Sequence, residues 1–264
     1  MTTVALVGPD GAGKSSIIRR VTEQLPVPVR SIYMGVNLES SKLMLPTTRL
    51  ALEAKRRRGG RPDMVGASLG GGKPTKPGRR GLLREARSGL RLANWIAEEW
   101  FRQGVAWAHE RRGRVVLFDR HFFCDYYAND VAGRRPGRPW TSRVHGAMLE
   151  RLYPKPDLVI MLDAPAEVLF ARKGEGTLES LERMRRDLLE LAPHVDRFVT
   201  VDATKDLDAV TADVIAAIMA VVRDEPAVAA EPAAPADPVA GADPVAAAEA
   251  TAAPSSPAIR TDAA

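Results

Sequence analysis

Cysteine is almost absent: Cys124 is the only one in 264 residues. No disulfide can therefore form within the chain, and a reducing compartment is the expected setting. There is no run of eighteen apolar residues, which excludes a conventional membrane-spanning helix. The N-terminus leads straight into a strand-like run without a charged segment and apolar stretch, so no signal peptide is expected and the chain is read as cytoplasmic. What is present, 45% apolar and 27% charged residues, is the composition of a globular protein. Length alone does not choose between one large domain and two small ones.

Charge is unevenly spread. The net charge is +5, yet residues 225–264 hold six acidic residues against one arginine, which leaves residues 1–224 at about +10. A basic body suits polyanionic ligands, and nucleotides, nucleic acids and acidic membranes are equally served. Residues 225–264 are rich in Ala and Pro, lack aromatics and show no periodic apolar face. Such a segment cannot bury enough surface to offset its ordering entropy, so a disordered tail is expected there. Residues 55–81 carry nine Lys or Arg against one Asp, broken by glycines and prolines, and are expected to form a basic flexible insertion.

The rest alternates between two periodicities. Short β-rich runs at 2–7, 29–34, 114–118, 157–162 and 197–201 have few polar breaks, as strands covered on both faces do. The longer segments between them repeat apolar residues at helical spacing. This pattern predicts an α/β fold: three layers, α/β/α, around a roughly five-stranded parallel sheet with right-handed crossovers. Ligands then belong at the carboxyl ends of the strands. Gly8, Asp119 and Asp163 fall at three of those ends.

Residues 8–15, GPDGAGKS, match the phosphate-binding pattern G-x-x-x-x-G-K-[ST]. Polyphosphate needs backbone N–H donors that side chains do not obstruct. Gly8, Gly11 and Gly13 supply that freedom, and a helix beginning near Lys14 turns its positive end to the ligand. With Asp10, Ala12 and Ser16, these residues form the expected P-loop nucleotide site. Lys14 is the mobile cation for the terminal phosphates, and the Ser15 hydroxyl is placed to ligate Mg²⁺. No N-K-x-D tetrapeptide for reading guanine occurs, so ATP is preferred over GTP.

Asp10 is a carboxylate inside a phosphate loop and needs a compensating role: either a hydrogen bond from an acceptor sugar hydroxyl, or pinning of the loop through its own backbone contacts. A second motif, VVLFDRH at 115–121, ends a hydrophobic strand in Asp-Arg. That places Asp119 near the metal in the Walker-B position and lets Arg120 grip a phosphate through paired hydrogen bonds.

With these residues in view, the chain resembles the thymidylate kinase family of P-loop nucleoside monophosphate kinases. The carriers are GPDGAGKSS, VVLFDRH, PKPDLVIMLDAPAEVLFARK and FVTVDATKDLDAVTADVIAAI, which lie within residues 3–222. The resemblance implies that Asp10 contacts the acceptor sugar, Asp119 assists Mg²⁺ and Arg120 holds the acceptor phosphate. Lacking an arginine between Gly8 and Lys14, the chain is expected to carry a catalytic cation in a short helical lid over 171–192. Arg172 is the first choice and Lys173 the second, with Arg183, Arg185 and Arg186 further on; Glu179–Arg183 also reads as a solvated i,i+4 pair.

The acceptor side departs from the family. After the second strand, YMGVNLESSKLMLPTTRL stands where a T-R-E-P-G-G-type segment is usual, and LRLANWIAEEWFRQ replaces an arginine-rich helix. Arg91 is a candidate for the missing arginine, and Trp95 or Phe101 for stacking on a base; both aromatics also suit a core. His121 reads either as an acceptor-phosphate contact or as a structural partner. His109, His145 and His194 show no ligand spacing with Cys124. Asp163 reads as a second carboxylate near the metal or as a helix cap.

The resulting expectation is a kinase domain over 1–224 using ATP and Mg²⁺ on a small nucleotide substrate in nucleotide biosynthesis, dTMP first. A homodimer is compatible, and neither a membrane nor a nucleic-acid partner is expected. The alternatives are a kinase of another small metabolite and a non-catalytic nucleotide-binding regulatory protein.

Overall fold

A computed structural model of the chain describes residues 2–36, 38, 41, 43–59, 79–133 and 137–223. The centre of the basic insertion and the Ala/Pro-rich segment from 225 lie outside the described residues.

Five strands, β1 (Thr3–Val7), β2 (Val29–Tyr33), β3 (Val115–Asp119), β4 (Leu158–Asp163) and β5 (Phe198–Asp202), form one sheet in the order β2-β3-β1-β4-β5. Every adjacent pair is parallel. Side chains alternate across a strand, and the sequence exploits this on both faces. Val4, Leu6, Leu117, Ile160 and Leu162 face one layer, where they meet Ile17 and Val21 of α1 (Lys14–Gln24) and Val214 and Ile218 of α8 (Leu207–Val222). Ala5, Val7, Phe118, Val159 and Met161 face the other, against Trp95 of α3 (Arg79–Glu110) and Leu149 of α5 (Trp140–Arg151). At roughly 1.5–3 kcal/mol per buried large aliphatic side chain, these two apolar layers fix the register, because a one-residue slip would exchange them. The three-layer α/β/α expectation from the strand runs therefore holds.

Local signals set the helix ends. α1 starts after Gly13 in a left-handed conformation (φ 85°) and stops at Leu25, just before Pro26, where the helical region is disfavoured. α6 (Ala166–Lys173) ends on Gly174 at φ 66°, a position that suits glycine. α7 (Leu178–Leu189) opens on a capping box between Thr177 and Ser180. Asp206 caps α8 by accepting from the Asp208 and Ala209 amides; Asp206→Ala would cost about 1 kcal/mol.

α2 (Pro46–Arg57) and the start of α3 correct the expectation of a loop beginning at 55: residues 55–57 and 79–81 are helical. The basic residues of 55–57 close the last turn of α2, where cations complement the negative end of the helix. Between β3 and α5 lie α4 (Phe122–Tyr126) and a π-turn at Tyr127–Val131. The π-turn lies directly on α5: a side chain at Gly146 would run into the Asp130 carbonyl.

Candidate active site

The carboxyl ends of β1, β2 and β3 open on a cavity of about 480 Å³. The loop after β1 contributes Asp10, Gly11, Gly13, Lys14, Ser15 and Ser16 to its wall. Gly11 (φ 89°) must be glycine, since a Cβ there would come 2.5 Å from the Leu169 carbonyl oxygen of α6. Gly13 has open space where a Cβ would sit and offers no side-chain cap to α1. The first amides of that helix therefore remain for a ligand. Gly8 and Ala12 lie behind this wall: the Gly8 carbonyl accepts from Lys14 Nζ at 2.7 Å, and Ala12 is buried among the core residues. Lys14 Nζ also donates to the Pro9 carbonyl at 2.8 Å. Desolvation, followed by the nearby Arg120 charge, lowers the Lys14 pKa.

The neighbouring strand ends add Tyr33, Asp119 and Arg120 to the lining. Asp119 pairs in register with Leu6 of β1 and Tyr33 of β2, which sets the three strand ends side by side. Desolvation pushes the Asp119 carboxyl up, while Lys14 and Arg120 draw it back. Arg120 is the one non-glycine with positive φ (68°) among the described residues. A backbone held there is strained, and such strain gathers at functional sites. Arg120 Nη2 lies 3.6 Å from Asp10, and its Nη1 4.0 Å from Asp125. Desolvation pushes the Asp125 carboxyl up to about 6.

Tyr33 and Asp125 escaped the sequence reading. Tyr33 had one available signal, its place at a strand's carboxyl end. It is held from beneath by Arg102, whose Nη1 donates to the carbonyls of Tyr33 (2.9 Å) and Gly35 (2.6 Å) and whose Nε donates to Glu98 (2.9 Å). Arg102 and Glu98 are fully buried, so this ion pair acts as an internal fastener of the β2 end.

The third wall is Arg172 and Lys173, at the end of α6. Arg172 donates to the Ala203 carbonyl at 2.8 Å, whereas Lys173 Nζ stands 3.6 Å from Asp10 and 2.9 Å from Glu175.

Curated relatives match this chain over part of its length, two of them as follows. A probable thymidylate kinase of Saccharolobus solfataricus is 32% identical over 98 residues, covering 35% of this chain and 48% of the relative. A thymidylate kinase of Thermosipho africanus is 29% identical over 114 residues, covering 40% of this chain and 55% of the relative. Over the matched stretch the chain is similar to these thymidylate kinases. It spans about half the length of the curated relatives it matches. No family model matches it.

The other candidate cations, Arg183, Arg185 and Arg186, lie elsewhere, in α7. Arg185 makes a two-pronged contact with Asp163, Nε to Oδ1 at 2.5 Å and Nη2 to Oδ2 at 2.8 Å. Asp163 is therefore neither a helix cap, since Pro165 holds that place before α6, nor a cavity carboxylate; it fastens α7 to the end of β4. Arg183 pairs with Glu179 at 3.2 Å on the surface, and Arg186 is exposed.

The acceptor-side expectations fare differently. Trp95 is buried, edge-on to Phe122 and Tyr126, so it belongs to the core. Phe101 is a surface residue at 37% exposure. Arg91 is exposed and donates to Ser88 Oγ. None of the three lines the cavity. His121 is buried against Phe118 and Tyr153, and burial lowers its pKa to about 3, which makes it a neutral core residue. Among the described residues, no group of three or more His, Cys, Asp or Glu could hold a metal ion. The polar set that fits Mg²⁺ is Ser15 and Asp119, both on the cavity wall.

Proposed function

We propose that the chain catalyses ATP-dependent phosphoryl transfer to a nucleoside monophosphate, with dTMP converted to dTDP as the leading reaction. The observation that carries this reading is the shared cavity, which Lys14, Ser15, Asp119 and Arg120 all line. Homology to thymidylate kinases supports the same reaction.

The triphosphate would lie on the amides of Gly11, Gly13, Lys14 and Ser15, with Lys14 released from the Gly8 and Pro9 carbonyls to reach the terminal phosphates. Mg²⁺, held by Ser15 Oγ and Asp119, would supply charge neutralisation between donor phosphates. Arg120 grips the acceptor phosphate and Asp10 the acceptor sugar. An acceptor phosphate oxygen attacks the γ-phosphorus in line, the bond to the bridging oxygen breaks, and ADP leaves without a covalent enzyme intermediate. The protein's work is positioning and electrostatics. Closure of residues 171–186 would exclude water and suppress wasteful hydrolysis. The kinase domain corresponds to residues 1–224, acting in the cytoplasm.

A second reading, a kinase of another small phosphorylated metabolite, is favoured by the acceptor side: none of Arg91, Trp95 and Phe101 lines the cavity. A coupled ADP-release assay over dTMP, dUMP, CMP and sugar phosphates separates the two. Turnover of dTMP above the others supports the first reading; turnover of another acceptor with none of dTMP replaces it with the second. ATP binding without turnover of any acceptor removes both.

A further inference from the structure

His145 of α5 lies between two carboxylates that take no part in phosphoryl transfer. Its Nδ1 is 2.7 Å from Asp130 Oδ2 of the π-turn, and its Nε2 is 2.8 Å from Glu99 Oε1 of α3. All three side chains are buried. An imidazole bonds to two acids at once only if each contact has its own proton. The trio therefore keeps one proton more than a neutral ring would bring. Desolvation lowers the His145 pKa, yet the bonds to Asp130 and Glu99 raise it to about 9, in agreement with that count.

These bonds hold the connection between β3 and α5. It begins at the cavity with Arg120, passes through α4 and ends in the π-turn. In the π-turn the Ala132 amide reaches back to the Tyr127 carbonyl at 2.7 Å. Such turns are rare and gather at functional sites. Here the neighbours impose it: the Asp130 carboxylate is fixed by His145, and the Asp130 carbonyl accepts from Arg138 and lies against Gly146 of α5. At the end of α4 the Tyr126 ring stands edge-on to His145 (5.2 Å between centroids) and to Trp95 (5.6 Å). At its start Phe122 meets the same Trp95 (6.2 Å). A shift of α4 would carry with it Asp125, which lies 4.0 Å from Arg120.

We propose that His145 is a positioning residue for the phosphoryl acceptor: by bonding to Asp130 and Glu99 together it holds the π-turn and α4, and through them sets Arg120 and Asp125 where the acceptor binds. This role rests on the phosphoryl-transfer reading of the cavity. The donor side has separate supports, namely Lys14 on the Gly8 and Pro9 carbonyls and Gly11 against Leu169, so the effect falls on the acceptor. Loss of the extra proton leaves one buried acid without its donor, and the connection loosens. The other ionisable groups nearby are Tyr126 of α4, Tyr153 after α5 and Asp125. Burial raises both phenols well above their usual range, and desolvation raises Asp125 only to about 6. His145 is therefore the member of this set that titrates near pH 9.

The test is steady-state kinetics for acceptor and ATP from about pH 7 to about pH 10, with the full chain and two variants. Glu99→Gln keeps the shape of the side chain and lets a neutral ring donate to Asp130 and accept from the amide. At neutral pH it is expected to match the wild-type acceptor KM within about twofold, since both bonds persist. Above pH 9 the wild-type acceptor KM is expected to exceed that of Glu99→Gln about tenfold, as for a loosened bond to a charged group, while the two ATP KM values stay together. His145→Gln is expected to raise the acceptor KM about tenfold already at neutral pH, with thermal melting reporting that it is folded. Where it does not fold, the Glu99→Gln comparison decides alone. Equal acceptor KM values for wild type and Glu99→Gln across the range overturn the proposal, as does a rise in ATP KM matching that for the acceptor. A wild type that turns over no acceptor at any pH removes the kinase reading and this role with it, an outcome distinct from an active wild type whose acceptor KM ignores Glu99→Gln.

Discussion

The carboxylate of Asp10 stands 3.6 Å from Lys173 Nζ, joining the phosphate loop to the end of α6. The same oxygen lies 3.6 Å from Arg120, so one acid serves two cations from two different elements. All three groups are partly exposed, which makes these pairs worth little to stability. In the proposed reaction their value lies in positioning. Asp10→Asn is expected to lower kcat/KM for the acceptor about 10–100-fold, the loss of one charge-assisted hydrogen bond. The KM for ATP should not rise, because the carboxylate repels triphosphate. Steady-state kinetics against each substrate check both halves.

Arg120 holds a left-handed backbone (φ 68°) that costs a residue with a Cβ about 1–2 kcal/mol. Arg120→Gly is therefore expected to leave the melting temperature unchanged or raised while phosphoryl transfer is lost. Arg120→Lys keeps the charge but forfeits the two-pronged grip, and should retain only a small fraction of acceptor turnover. A clear drop in the melting temperature of the glycine variant would contradict the strain.

Arg172 and Lys173 should separate in kinetics. Lys173 points at the Asp10 corner of the cavity, whereas Arg172 is engaged with the Ala203 carbonyl. Lys173→Ala is expected to reduce kcat by about 10²–10³, as removal of a transition-state donor does. Arg172→Ala should do so less and act more on ATP binding. Equal effects on kcat would overturn that division.

His145 sits fully buried between Asp130 (2.7 Å) and Glu99 (2.8 Å). Desolvation lowers its pKa, but the hydrogen bonds to Asp130 and Glu99 prevail and raise it from 6.5 to about 9. Its folded pKa thus lies above the unfolded one, so its stabilisation is complete below pH 6.5 and is lost as pH rises through about 9. Glu99, raised by desolvation, also loses stability as pH rises, but beginning from the ordinary carboxylate range, so the window from 6.5 to about 9 is that of His145. The melting temperature is expected to fall between those values, and His145→Gln to flatten the profile at a cost of about 3–5 kcal/mol for two stranded acids. A flat wild-type profile would contradict a charged His145.

Much of this architecture was legible in the chain. The five strands follow from apolar runs covered on both faces, and the phosphate loop from glycines whose backbone angles exclude other residues. Asp119 and Arg120 were readable because they end a hydrophobic strand. Pairings between distant elements left no such mark. Glu98 and Arg102 have the i,i+4 spacing of a solvated surface pair, yet both are buried because the carbonyls of Tyr33 and Gly35 need donors. Asp163 met its partner 22 residues later in Arg185, a distance at which no periodicity operates. Trp95 was open to both base stacking and the core, because an aromatic on an amphipathic helix does not declare which neighbours cover it.

The central claim is that donor and acceptor phosphates share one cavity between Lys14 and Arg120. Its most direct test is calorimetric binding of a bisubstrate molecule, adenosine and thymidine joined 5′ to 5′ through five phosphates, compared with ATP and dTMP alone. The expected result is affinity at least about 100-fold above either substrate, from linking two sites in one ligand, and abolished by Lys14→Ala and by Arg120→Ala alike. Affinity no better than that of ATP, sensitive to Lys14 but indifferent to Arg120, would contradict it.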